Sequence, residues 1–167
     1  MPLDGYKGFA KGNVNVSIGI GGFKNMIKKE NYYGTNLIGE IEYLPANLLS
    51  VGARTKPSLL SIENQPATVI IENNFYVRYY PIAFSCYKVA FFGEVLVMGD
   101  NAKHTIKGEP LSVKPVYMGV ATGLVILFKS NLKAQVSNDF FLKRANRGSL
   151  SLLWNFKSIP LKNKEAQ

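Results

Sequence analysis

The chain is poor in the residues that carry most enzyme chemistry. Its 167 residues include one cysteine, Cys86, and one histidine, His104. A lone cysteine excludes an internal disulfide framework and a cysteine-rich metal site, and Cys86, in an expected turn, reads as an incidental thiol. His104 falls in a polar connection, with no nucleophile and orienting acid spaced to build a Ser-His-Asp constellation. Lipase, deacylase and protease chemistry are therefore not expected, nor any metal or cofactor. Long apolar runs are missing too. A membrane-spanning helix needs roughly 18 apolar residues, but the longest candidate, Val116 to Phe128, is shorter and carries Gly119, Thr122 and Gly123. Acidic residues are scarce, 11 against 20 basic, for a net charge of +9. The basic residues form no RNA- or DNA-binding motif with interleaved aromatics, so nucleic acid is not an expected partner.

What is present is an alternation of period two, the signature of half-buried β-strands. In the first segment, 13–23, Val14, Val16, Ile18 and Ile20 share one face, against Asn13, Asn15, Ser17, Gly19 and Gly21. The second, 36–43, sets Leu37, Gly39, Ile41 and Tyr43 against Asn36, Ile38, Glu40 and Glu42. The third sets Leu49, Val51 and Ala53 against Ser50, Gly52 and Arg54. The fourth, 69–80, turns Ile71, Phe75, Val77 and Tyr79 one way, with Asn73 a polar blemish among them, and Glu72, Asn74, Tyr76, Arg78 and Tyr80 the other. A fifth segment covers 88–98 and a sixth 113–128, the latter too uniformly apolar for its faces to be read. The seventh is centred on 132–137, and the last, 149–156, carries Leu150, Leu152, Trp154 and Phe156 on one face.

Several segments are about 10 residues long, the length a tilted strand needs to cross a bilayer. The connections 23–34, 55–68, 99–110 and 140–148 are long and polar, while 44–48, 81–87 and 129–131 are short. That alternation predicts an all-β fold: an eight-stranded antiparallel up-and-down transmembrane β-barrel with long extracellular loops and short periplasmic turns. The barrel is expected within residues 1–156, with 157–167 a polar C-terminal tail. Aromatics are expected as two interfacial girdles, Tyr43, Tyr79, Phe128, Trp154 and Phe156 at the periplasmic side and Phe23, Tyr32, Tyr33, Phe140 and Phe141 at the other. The start, Met1-Pro2-Leu3-Asp4, carries no secretory signal, so a mature or truncated form of an exported protein is expected.

The order Phe75-Tyr-Val-Arg-Tyr-Tyr80, Phe91-Phe-Gly-Glu94, Gly119-Val-Ala-Thr-Gly-Leu124 and Phe128-Lys-Ser-Asn-Leu132 resembles the small outer-membrane β-barrel family of Bacteroidota-type bacteria, barrels of the OmpA/OmpX kind. The resemblance spans about residues 13–156. It implies a Gram-negative outer-membrane location and contact with outer-membrane lipid. It also implies that Leu150, Leu152, Trp154 and Phe156 form the closing strand read by the outer-membrane assembly machinery. The family usually ends at that aromatic, whereas this chain continues to Gln167.

The face opposite the apolar one gathers Glu40, Glu42, Arg54, Glu72, Arg78, Lys88, Glu94 and Lys133, a charge network expected to fill the lumen. Isolated buried charges are costly, so they must pair, with Arg78 and Glu94 expected as a bidentate or near-bidentate couple. Glu40 and Glu42 share a face as any i, i+2 strand residues do, so acid-base catalysis is not inferred from them. Basic residues in the expected loops, Lys24, Lys28, Lys29, Lys103, Lys107, Lys143, Arg144 and Arg147, could meet lipopolysaccharide phosphates. The functional expectation is a monomeric, non-enzymatic, structural or adhesive envelope protein. The alternatives are a narrow pore or transport protein for small solutes and a soluble lipocalin-like ligand-binding barrel, which needs apolar residues inside.

Overall fold

The computed structural model describes residues 11–27, 30–61, 67–84, 89–100, 105–106, 109–110, 116–129, 131–141 and 146–160. In chain order the strands are β1 (Asn13–Ile27), β2 (Glu30–Ala46), β3 (Leu49–Ser61), β4 (Thr68–Phe84), β5 (Val89–Asp100), the short pair β6 (Thr105–Ile106) and β7 (Glu109–Pro110), β8 (Val116–Lys129), β9 (Leu132–Phe141) and β10 (Arg147–Pro160). The eight long strands pair antiparallel with their sequence neighbours, and β1 pairs with β10, closing the circuit β1-β10-β9-β8-β5-β4-β3-β2. Closure satisfies the hydrogen-bonding edges that an open sheet would expose. The short pair β6–β7 forms a separate ribbon.

The strands run further than the alternation alone suggests. Ile27 pairs with Glu30, and Leu60 with Thr68, so much of 23–34 and 55–68 is paired strand and not loop. β10 likewise continues past Phe156, with Ile159 opposite Val14 and Pro160 opposite Asn13. The barrel therefore includes 157–160, residues first given to the tail. Pro57 lies inside β3, and the β2–β3 ladder skips it: pairing stops between Asn36↔Ser58 and Gly39↔Thr55, yet keeps the same register on both sides. A proline has no N–H to give to a ladder, and here it removes rungs without slipping the strands. Register irregularities at Val16/Ser17, Tyr43/Ala46, Tyr79/Ile82 and Leu127/Lys129 cluster toward the end of the barrel that carries the Asn47–Leu48 turn. Leu48 closes that turn at a φ of 63°.

The faces are inverted relative to a water-soluble barrel. Phe75 is 68% exposed and Ile20 61%, whereas Arg78 is 0% and Glu94 3%. The sixth segment, unreadable from sequence, resolves on β8: Val116, Met118 and Val120 face out, while Ala121, Val125 and Leu127 are buried. Inside, an apolar plug of Leu44, Tyr80, Ala90, Phe92, Val125 and Leu127 sits near the Asn47–Leu48 turn, with Leu48 packed against it. A second apolar cluster joins Tyr76, Leu96, Met98, Ala121 and Phe141.

Candidate functional site

Ionic groups of the lumen lie in two tiers, each placed by strand register. The larger tier begins with Arg78 and Glu94, direct cross-strand partners on β4 and β5. Arg78 Nε and Nη2 both donate to Glu94 Oε2, at 2.8 and 2.5 Å. Arg54, from β3, reaches the same carboxylate with Nη2 3.3 Å from Oε2 and Nη1 3.5 Å from Oε1, and donates from Nε to Glu40 Oε2 at 2.7 Å. Lys133 of β9 donates to Glu40 Oε1 at 2.8 Å. Glu42 accepts from the Tyr80 hydroxyl at 3.3 Å and lies 3.9 Å from both Arg78 Nη1 and Lys133 Nζ. Three cations and three carboxylates thus form one connected network.

Aromatic rings sheathe this network. The Arg54 and Arg78 guanidiniums lie 4.6 and 4.8 Å from the Tyr76 ring centroid, and Arg78 lies 4.5 Å from that of Phe92. Such contacts stabilise a cation that has lost its water. The rings fit because glycines lie beneath them. A Cβ on Gly52 would stand 2.5 Å from Tyr76 Cζ, and one on Gly123 would stand 2.6 Å from Phe92 Cζ.

The second tier centres on Arg147, the first residue of β10. Its Nη1 donates to Glu72 Oε1 and Oε2 at 2.8 and 2.6 Å, and its Nε and Nη2 donate to Asp139 Oδ2 at 3.2 and 2.9 Å. Phe23 and Phe141 flank its guanidinium, with centroids at 5.4 and 5.6 Å. Lys56, buried on β3 opposite Glu72, joins the interior set. Among the described residues, five buried or nearly buried cations (Arg54, Lys56, Arg78, Lys133, Arg147) therefore share the interior with five buried carboxylates (Glu40, Glu42, Glu72, Glu94, Asp139). These ten carry no net charge, and the surplus of nine belongs to the rest of the chain.

Of the expected network, Glu40, Glu42, Arg54, Glu72, Arg78, Glu94 and Lys133 meet inside the barrel, and Lys88 lies outside the described residues. Arg147 corrects the sequence reading: expected in a loop against phosphate, it is buried and bound to Glu72 and Asp139, because the inward phase of β10 runs through Arg147, Ser151 and Leu153. Lys24 is exposed on β1, while Lys28, Lys29, Lys103, Lys107, Lys143 and Arg144 lie outside the described residues, as do Cys86 and His104. Tyr33, Tyr79, Phe128, Phe140, Trp154 and Phe156 do point outward, as do Leu150 and Leu152. Phe23, Tyr32 and Phe141, expected in a girdle, instead point inward. The orientation of the described strands is also the reverse of that required by a soluble lipocalin-like barrel. Sequence reasoning missed Lys56 and Asp139 as interior ions, although extending the period of two from Arg54 to Lys56 and from Ser137 to Asp139 would have reached both.

A closed barrel with an ionic interior and an apolar exterior is the class these features define. No family model matches the chain, and no curated protein matches it in sequence. Among solved structures it is similar to the N-terminal β-barrel domain of Pseudomonas aeruginosa OprF, with a TM-score of 0.55 and 13% identity over 87% of this chain and 98% of that one. It is also similar to a barrel from the de novo design of transmembrane β-barrels, with a TM-score of 0.51 and 9% identity over 87% of this chain and 97% of that one. At these identities the likeness is one of fold.

Proposed function

We propose that the chain is a monomeric barrel of a Gram-negative outer membrane, with a sealed lumen and a structural or adhesive, non-enzymatic role in the envelope. The inversion of faces carries this reading. Side chains such as Ile20, Phe75, Val95 and Trp154 form an apolar exterior that water would not tolerate over so large an area, and hydrocarbon is the solvent that suits it. The similarity in fold to the OprF barrel domain and to a barrel from transmembrane design supports a place in a membrane. The ion pairs that cross the lumen support closure, and one void among the described residues, bounded by Asn36, Lys56, Gln135 and Leu153, measures about 10 Å³, about the space of one water. Buried side-chain oxygens of Asn36, Ser50, Asn74 and Gln135 lack a hydrogen-bond partner among the described residues, which suits a water-lined path and favours the second reading, a narrow pore for small solutes.

Partners follow from this placement. Leu150, Leu152, Trp154 and Phe156 on the closing strand would engage the outer-membrane assembly machinery, and basic residues at the end carrying Lys24 would meet lipopolysaccharide. Trp154, the single tryptophan, supplies a direct test. In vesicles, phospholipids brominated on their acyl chains should quench its emission, and planar bilayers containing the protein should show no large steady conductance. Unquenched emission rejects the membrane location. A large steady conductance rejects the sealed lumen and favours the pore.

A further inference from the structure

The outer wall is not uniformly covered. Across β9, β10, β1, β2 and β3, the outward side chains Ala134, Leu152, Ile20, Leu37 and Pro57 make one row, following the register Leu152↔Ala134, Ile20↔Leu152 and Ile20↔Leu37. The next row toward Lys24 is Leu150, Gly22, Thr35 and Leu59, with Gly22 opposite both Leu150 and Thr35. Between the rows the floor is backbone, because Gly21, Asn36, Ser58 and Ser151 turn inward. Short side chains at Gly22, Thr35, Pro57 and Ala134 leave an open groove of about 790 Å³, within the roughly 300–1,000 Å³ typical of small-molecule sites.

Gly22 is the informative residue. Its φ is not positive, and a Cβ there would meet nothing nearer than the Gly34 carbonyl oxygen at 3.6 Å. Neither backbone conformation nor close packing requires glycine at this position, and, unlike the equally unconstrained Gly93, Gly22 lines the groove, which its missing side chain leaves open. Just above it, two residues along each strand and on the same outward face, Lys24 and Tyr33 are cross-strand partners, with Lys24 Nζ 5.6 Å from the Tyr33 ring centroid. Two residues of strand span about 7 Å, so Lys24 occupies the next outward position beyond the groove-lining Gly22, within reach of the headgroup of a lipid lying in the groove, and its charge complements an anionic one.

We infer that this groove is a binding site for one phosphate-bearing membrane lipid, an acyl chain lying between the two rows and the phosphate meeting Lys24. The inference rests on the membrane location and deepens it, by separating one bound lipid from the bulk lipid around the barrel.

The test uses the purified full chain in detergent, mixed with dimyristoyl phosphatidylglycerol or with phosphate-free dimyristoylglycerol, and counts retained lipid by native mass spectrometry. One phosphatidylglycerol should be retained in preference to the diacylglycerol. Gly22→Leu fills the groove and should lower retention of both about tenfold. Lys24→Gln should abolish the preference while sparing the acyl contribution. Gly93→Leu adds the same bulk on β5, the strand diametrically opposite β1, where a Cβ meets nothing within 4 Å; retention should not change. Unaltered retention in Gly22→Leu, equal loss in Gly93→Leu, or an unaltered preference in Lys24→Gln would each overturn the site. A wild-type chain that binds neither lipid, yet shows Trp154 quenching in vesicles, defeats the groove alone; absence of quenching defeats the membrane location beneath it.

Discussion

Arg78 sends two donors to a single oxygen of Glu94, and Arg54 reaches both oxygens of that carboxylate. The pair is not a fork with each oxygen bound once; Glu94 is a bridge between two guanidiniums. The two members of the couple are therefore unequal, and substitution should reveal which one holds the tier together.

Glu94→Gln leaves two buried arginines short of a counter-charge, and removal of one partner from a buried ion pair typically costs roughly 3–5 kcal/mol. Arg78→Met should cost less, since Glu94 keeps Arg54 and the aliphatic replacement still fills the space between Tyr76 and Phe92. Denaturant unfolding in detergent, followed through Trp154 emission, should order the stabilities as wild type, Arg78→Met, Glu94→Gln. Equal losses would contradict the bridge.

Arg147→Met strips Glu72 and Asp139 of their shared cation at once, and a loss of roughly 3–5 kcal/mol is expected by the same reasoning. Lipopolysaccharide association, measured on the folded variant, should stay at the wild-type level because the side chain is buried. A selective loss of that association with stability intact would return Arg147 to the surface.

Gly52→Ala sets a methyl group against the Tyr76 ring and 2.7 Å from the Ile41 carbonyl oxygen. Overpacking of this kind costs about 1–3 kcal/mol, and the displaced ring would uncover both Arg54 and Arg78. Gly93→Ala should be silent by comparison. The difference in unfolding midpoint between the two variants measures how much Tyr76 contributes to holding the cations.

Val95 faces outward in the row that joins Val77 on β4 and Val120 on β8. If that row lies near the middle of a bilayer, Val95→Arg should destabilise the barrel in vesicles by about 2–4 kcal/mol. In water the same change on an exposed wall would be nearly neutral. Unfolding in lipid vesicles therefore reports the surroundings of the wall directly.

The parts of the barrel that were legible in the sequence are those where an apolar residue alternates with a polar one: Val14 to Ile20, Ile71 to Tyr80, Leu150 to Phe156. Legibility failed where an outward position is itself polar. Thr55 follows Arg54 and Asn138 follows Ser137, and both are exposed. The contrast between faces ends there, although the backbone ladder continues, so Lys56 and Asp139 dropped out of view. Arg147 was lost for the converse reason: a cation beside Asn146 and Gly148 reads as a loop residue, and only closure of the barrel places it against β4 and β9. Tyr76 and Tyr80 were recognised as inward-facing, but their role as a sheath for the guanidiniums depends on distances between strands that alternation does not encode.

The contact from Arg147 to Glu72 joins β10 to β4, strands that face each other across the full width of the barrel. It works as a spoke in a wheel. To flatten the tube into an oval, the surrounding layer would have to lengthen or break a buried, charged hydrogen bond. Resistance to lateral squeezing is thus supplied from the axis, leaving the outer wall free to vary in what it presents to its surroundings.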